Sequence, residues 1–549
     1  MLRSLRSAGL GLVGAAMAAA AAPATPAAAA PAMAAVPPVV PGLAASASAS
    51  AAGPTADWPA QPGPCRLDGL ATALRCASLR RPLDPARPDG VQIALHYAVL
   101  PALSRHKADD PVVFLAGGPG QSATELAGPL AAAYQRLGQR RDLVFIDQRG
   151  TGRSAPLRCP DDAADAPVRA LAEQADDTAR LARLRACRRA LQALPHGDLR
   201  FYGTAIASAD LDAVRAALGV ARLNLIAASY GTRAALDYQR QFPSRVRRAV
   251  LDGVVPPDMH LADAAAQDNQ AALDGVIKAC AAEPACARRH PALRAQWQAL
   301  LAGLPRTVSL PHPVSGLPEA VTLSRDGLLG LVRGPLYAPA LAAGLPAAVA
   351  EAAQGRWAAL AALGSSLGGG GRLGGIATGM HLSVVCTEDP PAADPPAPAP
   401  APAPSASAAD FGDSLARFYR AACADWPRGS LPADFARLPP SAAPVWLLSG
   451  GADPVTPPRH AERVRQALGT RARHGVVAQA GHGLAQLPCV RDAVQRFISA
   501  DDDAQALAVA DAGVACAADL PRPPAFAPPG LPPGLPPGRA QERTAGVVR

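Results

Sequence analysis

Residues 223–232 read LNLIAASYGT. An apolar run broken only by Asn224 leads into Ala227-Ala228-Ser229-Tyr230-Gly231, and residues 232–242 continue with helical spacing until Pro243. A serine between strand and helix, with small residues two positions to either side, is the pattern of a nucleophile elbow, G-x-S-x-G. The sharp turn lifts the hydroxyl to the tip of the sheet, and the small neighbours let strand and helix pass closely. Gly231 meets that demand. Ala227 stands where the first glycine is usual, one methyl larger. The pentad occurs by chance in unrelated chains, so its surroundings decide its meaning.

Those surroundings repeat the same motion. Residues 91–100 (VQIALHYAVL) alternate as a strand, and 112–115 (VVFL), 143–146 (LVFI), 246–255, 445–448 and 476–478 are short apolar runs. Runs apolar on both faces suit a parallel sheet covered by helices. Residues 208–218 carry Leu211, Val214 and Leu218 at helical spacing and stop at Gly219; residues 458–468 form another helical stretch. Strand–helix alternation predicts an α/β fold, a mostly parallel central sheet with helices on both faces. The alternation breaks over residues 256–443, which are mostly helical with flexible stretches at 364–375 and 390–404. This interval reads as a helical cap insertion with a Pro-rich loop. The core is then 64–255 and 444–520, and 521–549 reads as a disordered tail.

The 549 residues, with 49% hydrophobic and 18% charged, exclude a chain disordered throughout. The net charge of +9 is carried almost wholly by scattered arginines, Lys107 and Lys278 being the only lysines, and aromatics are 4%. A nucleic-acid binder clusters its basic residues with aromatics between them, so that partner is excluded. Residues 1–30 hold a positive n-region (Arg3, Arg6), an apolar core and small residues beyond, the pattern of a secretory signal; 31–63 read as an Ala/Pro-rich linker. No later run reaches a spanning helix's length, so stable membrane insertion is not expected. Ten cysteines fit an exported protein, periplasmic or secreted. Pairing neighbours closes the shortest loops: Cys65/Cys76, Cys159/Cys187, Cys280/Cys286, Cys386/Cys423 and Cys489/Cys516. Zinc binding is a weak rival, since no C-x-x-C occurs. No metal or organic cofactor is expected.

A serine hydroxyl needs a base in contact with it, and the base needs an orienting carboxylate. In this architecture the order is Ser, Asp/Glu, His. Asp453 follows the run VWLLSGGA and His482 lies in Ala480-Gly481-His482-Gly483 after the next run, so both leave the sheet at the same edge as Ser229. His460 falls in a helix, and His474 precedes its strand. The tetrahedral intermediate needs backbone N–H donors. Tyr230, after the nucleophile, supplies one; Gly117 or Gly118 in Ala116-Gly117-Gly118-Pro119-Gly120 supplies the other. That Gly-rich turn lacks the G-K-[ST] ending of a phosphate loop. Asp147 and Arg149 in Asp147-Gln148-Arg149-Gly150 are expected to form a buried structural pair, and Thr456 before Pro457 to cap a helix.

Together FLAGGPG, FIDQRGTGRS, AASYGT, GGADPVTP and AGHG, spanning residues 91–490 in order, resemble secreted α/β-hydrolase serine peptidases of the tripeptidyl-aminopeptidase and prolyl-iminopeptidase group. The resemblance implies an α/β-hydrolase fold, a triad of Ser229, Asp453 and His482, an oxyanion loop at Gly117-Gly118 and a helical cap. GGADPVTP is similar to the C-terminal part of the tripeptidyl-aminopeptidase branch. Two positions depart: Ala227, and Ala116 where iminopeptidases usually carry histidine, which weakens strict proline specificity. The substrates implied are peptides with a free N-terminus. Their ammonium needs a carboxylate; Glu388 and then Asp389 are the first choices, because the family places acids near here, with Asp258, Asp263 and Glu283 weaker. The alternatives are an esterase on the same triad and a non-catalytic envelope-binding protein on a hydrolase scaffold.

Overall fold

The structure is a computed structural model that describes residues 60–526 except 164–165, 167–168, 313–314, 367–374 and 390–409. The expected signal peptide, most of the linker, the Pro-rich loop, most of the 364–375 stretch and the tail beyond residue 526 lie outside the described residues. Eleven strands occur among them: β1 (Gly63–Cys65), β2 (Leu74–Pro82), β3 (Gln92–Leu100), β4 (Val112–Leu115), β5 (Leu143–Ile146), β6 (Leu223–Ala228), β7 (Val246–Asp252), β8 (Arg306–Pro311), β9 (Pro318–Leu323), β10 (Val445–Gly450) and β11 (Ala472–Val477). Nine form one sheet in the order β1-β2-β3-β5-β4-β6-β7-β10-β11, while β8 and β9 pair apart as an antiparallel hairpin. From β5 to β11 all neighbours are parallel; the β1, β2 and β3 end is antiparallel.

The central runs are apolar throughout because alternate residues feed opposite layers. Phe114, Phe145, Ile226, Val250, Trp446 and Leu448 enter one buried cluster. Their neighbours Val113, Leu115, Val144, Leu225, Leu251 and Leu447 enter the other. A four-residue strand such as β4, buried at every position, is thus held from both sides without needing length. Parallel pairing also sends the C-terminal ends of β4, β6, β10 and β11 to one rim, and each is followed there by a loop that carries a candidate group.

Several boundaries differ from the sequence reading. The helix expected at 208–218 begins at Thr204. β11 begins at Ala472, so His474 lies within the strand, between Glu462 (3.3 Å) and Ser449 (3.1 Å), rather than before it. β2, sequence LRCASLRRP, went unread because its charged residues occupy an antiparallel outer strand. Residues 521–526 lie against the cap: Arg522 Nη1 donates to the Gly275 carbonyl (2.8 Å) and the Phe526 N–H to that of Ala343 (2.9 Å). The described chain therefore runs six residues into the expected tail.

The cap is mostly helical, with the β8–β9 hairpin added. Trp297, Leu300, Leu329, Val332, Leu345 and Trp357 build a core of its own. A second cap core recruits residues expected in the hydrolase part: Leu157, Cys159, Cys187, Leu199 and Tyr202 pack with Met380, Val384, Cys386, Cys423 and Trp426, and Tyr230 joins them. The segment after β5 is therefore cap in packing, although it precedes β6 in sequence. All ten cysteines pair with their neighbours, as the shortest-loop reading expects. Cys159–Cys187 and Cys386–Cys423 both lie in this second core. No described helix is long and apolar enough to cross a membrane.

Candidate active site

Ser229 sits at the turn from β6 to the helix Tyr230–Gln241 with φ 54° and ψ −126°. Such a conformation costs a non-glycine residue about 1–3 kcal/mol and persists only where its surroundings fix it. Here the Ser229 N–H donates to the Asp252 carbonyl (2.9 Å), and the Ser229 carbonyl accepts from the Thr232 N–H (2.9 Å) and hydroxyl (2.6 Å). Gly231 is required: a Cβ there would stand 2.2 Å from the Leu115 carbonyl oxygen. Ala227 is fully buried, and its methyl joins the apolar layer beneath the turn.

Asp453 and His482 reach the same rim from β10 and β11. Asp453 Oδ1 accepts from the Val455 and Thr456 N–H groups (2.9 Å each), and Oδ2 lies 2.8 Å from His482 Nδ1. Thr456 is not a helix cap; its hydroxyl donates to Asp453 Oδ2 (2.6 Å) and lies 3.0 Å from His482 Nδ1. Burial would push the Asp453 carboxyl up, but His482 and Thr456 more than offset it and hold it below the usual range. Burial likewise works against the His482 imidazolium, yet Asp453 wins and holds its pKa above the ordinary value. Nδ1 is committed to Asp453, so Nε2 is the nitrogen left for proton transfer. Among the described residues Ser229 Oγ has no hydrogen bond to it; contacts of this kind often tighten only with substrate bound.

Two residues missed in sequence hold this rim together. Asp252, at the end of β7, accepts from the Leu484 and Ala485 N–H groups (2.8 Å each) through its side chain, fixing the loop after His482, while its carbonyl holds Ser229. Tyr337, from the cap, accepts the His482 N–H (3.0 Å) through its carbonyl and sets its ring edge-on to the imidazole at 5.3 Å. Asp252 ends an apolar run and reads as a turn residue; Tyr337 has no signal in its neighbours.

A cavity of about 220 Å³ opens before Ser229, lined by Gly118, Pro119, Tyr230, Tyr337, Asp389 and Thr456 among others. Gly117 packs behind it, where a Cβ would come within 3.1 Å of Ser229 Cβ. A larger cleft of about 990 Å³ shares Ile376, His381 and Tyr419 with this cavity and runs along the helix Asp177–Gln192. The two expected cap acids are held differently. Asp389 lines the cavity, whereas Glu388 is held by the Thr204 N–H (2.6 Å) and hydroxyl (2.9 Å). Arg233, itself buried, contacts Asp389 Oδ1 (2.7 Å) and Glu388 Oε2 (3.4 Å). Burial pushes Glu388 up to about 7, with Arg233 opposing, and Asp389 is raised in the same way. Asp258 pairs with Arg463, and Asp263 and Glu283 do not line the cavity.

Asp147 and Arg149 are buried and structural, but they do not pair with each other. Asp147 accepts from Ser122 (2.7 Å) and Thr124 (2.7 Å), and Arg149 bonds Asp210 (2.7 Å) and the Phe201 carbonyl (2.7 Å). His460 pairs with Asp268 (2.8 Å), away from Ser229. Among the described residues no three His, Cys, Asp or Glu side chains are placed to hold a metal ion.

Residues 110–337 match a family described as alpha/beta hydrolase fold, and residues 407–502 one described as TAP-like protein. The chain is 29% identical over 430 residues to serine protease Hip1 of Mycobacterium tuberculosis (strain ATCC 25618 / H37Rv), covering 74% of this chain and 82% of that one. It is 34% identical over 228 residues to tripeptidyl aminopeptidase of Streptomyces lividans, covering 39% and 41%. Carboxylesterase B of Mycobacterium tuberculosis (strain CDC 1551 / Oshkosh) is 28% identical over 416 residues, covering 70% and 76%.

Proposed function

The chain belongs to the serine hydrolases of the α/β-hydrolase fold, in their tripeptidyl-aminopeptidase-like branch, and from that premise we propose that it is an exported peptidase acting on peptide N-termini. Ser229 Oγ attacks the scissile carbonyl while His482 Nε2 takes its proton. Asp453 accepts from His482 Nδ1–H, holding the tautomer and stabilising the imidazolium. The N–H groups of Tyr230 and of Gly118 or Gly117 face the oxyanion. His482 then gives its proton to the leaving amine, and water, deprotonated by the same imidazole, hydrolyses the acyl-enzyme. The observation that carries this reading is the 2.8 Å Asp453–His482 pair at the rim where Ser229 stands at φ 54°.

Action at the N-terminus is supported by Asp389, which lines the cavity and can take the substrate ammonium, with Glu388 behind it. Five disulfides and the secretory pattern of residues 1–30 support export, to the periplasm or beyond. The resemblance to a carboxylesterase favours testing one rival directly. Mass spectrometry of a digested peptide library, with free and N-acetylated members and a blocked ester alongside, decides. The wild type should release short N-terminal fragments from the free peptides and spare the acetylated ones, and Ser229→Ala should release nothing while keeping its thermal melt. Cleavage by Ser229→Ala, or indifference to acetylation, would overturn the reading.

A further inference from the structure

The cavity before Ser229 contains a positive charge that the mechanism above does not use. Arg333, on the cap helix Arg325–Leu336, lines it together with Arg233, Asp389 and Asn269. The two arginines differ in what they touch. Arg233 is engaged by Asp389 and Glu388 and gives its other nitrogen to the Pro256 (3.2 Å) and Met259 (2.6 Å) carbonyls. Arg333 has neither a hydrogen bond nor an ion pair among the described residues, and its Nε, like that of Arg233, is buried with nothing to donate to. The acid on its own helix, Asp326, is held by Arg417 through both oxygens (3.0 Å each). Its aromatic neighbours Tyr337 and Tyr419 are phenols that burial keeps neutral.

One carboxylate and two guanidiniums therefore line the cavity, and one guanidinium is uncompensated. Arg333 is half-buried; a cation partly withdrawn from water without a partner is costly, and a guanidinium presents a planar fork that matches a carboxylate. Beside it, Asn269 is 1% exposed; its Nδ2 donates to the Ala265 carbonyl (2.6 Å), while Oδ1 is buried without a partner. An unused acceptor and an unused cation in one cavity complement a peptide, which offers backbone N–H groups and carboxylates. We infer that Arg333 selects substrates carrying a carboxylate near the scissile bond, either an acidic side chain or the C-terminus of a short peptide, with Asn269 Oδ1 taking a backbone N–H of the same molecule. This rests on the peptidase reading of the same cavity.

Calorimetry on the Ser229→Ala protein tests it without turnover. The probes are tetrapeptide amides carrying one Glu at each position in turn, their Gln counterparts, and the Gln peptides as free acids. One Glu position, or the free acid, should bind at least about tenfold more tightly than its uncharged partner, the scale of a charge-assisted hydrogen bond. The two arms separate side chain from C-terminus. Adding Arg333→Met should bring the ratio close to one, and Arg333→Lys should keep part of it. If Arg333→Met loses its thermal melt, Arg333→Gln decides instead. Equal binding in every pair, or a preference that survives loss of the charge, overturns the inference. Wild-type protein that leaves every peptide uncut while the binding preference stands would instead break the peptidase reading.

Discussion

The rim of the sheet and the underside of the cap face one cavity, yet they are assembled differently. At the rim the partners of Ser229 and Asp453 are near in sequence or on the next strand: Thr456 stands three residues from Asp453, and Ser229 hangs from Asp252 on the neighbouring strand. Under the cap, Glu388 reaches Thr204 across 184 positions, and Asp389 reaches Arg233 across 156. The chemical groups of the rim are thus set by strand ends, which short-range patterns report. The charges under the cap are set by how distant segments dock.

Asp453→Asn probes the rim and should have the largest effect. It keeps the shape but leaves His482 Nδ1–H without its carboxylate, so kcat should fall on the order of 10^4-fold, the scale for loss of a triad aspartate. A pH profile sharpens the test. The base must be neutral, and Asp453 holds the His482 pKa above its ordinary value, so wild-type activity should rise with pH through a limb lying above about 6.5. Without that carboxylate burial governs, and the limb of the residual activity should move to lower pH. An unmoved limb would break the assignment of His482 as the base.

Arg233→Met probes the cap and should act first on stability. It strands two buried carboxyls, Glu388 and Asp389, whose counter-charge is gone; removing one partner of a buried ion pair costs about 3–5 kcal/mol. The pH dependence has a definite sign. Both carboxyls are already raised in the fold, Glu388 to about 7, and the variant raises them further. The folded variant then binds more protons than the unfolded chain, so its stability should fall as pH rises through the neutral range and recover as pH drops below it. Thermal melts of variant and wild type between pH 5 and 8 measure it. A constant gap across that range would mean that the loss does not come from the ionisation of Glu388 and Asp389.

The same contrast decides what could be read from the sequence. Four-residue runs such as VVFL and LVFI were legible because both faces of a parallel strand are buried, and the strands match those runs residue for residue. The loops carrying Ser229, Asp453 and His482 were legible because each follows such a run. β2 was not legible, since an antiparallel outer strand tolerates arginine. Which of Glu388 and Asp389 borders the cavity was not legible, because the two adjacent acids stand at a helix end, and Thr204 and Arg233 hold them from far away in sequence. Arg149 was read as buried, correctly, but its partner proved to be Asp210, since a long side chain reaches past its neighbours in sequence.

The smallest expected effect belongs to Ala227→Gly, which restores the usual glycine of the elbow. If the first small residue mattered through clearance, the variant would gain activity; if it mattered only by not being large, little would change. The geometry supports the second. Clearance between strand and helix is set at Gly231, 2.2 Å from the Leu115 oxygen for any added Cβ, and Ser229 is positioned by Asp252 and Thr232. The Ala227 methyl instead fills a fully buried place in the apolar layer. Losing it removes that packing and frees the backbone, so stability should fall by about 1 kcal/mol while kcat/KM stays within about twofold. A tenfold change in either direction would show that the methyl at 227, rather than the strand beside it, sets where the serine hydroxyl points.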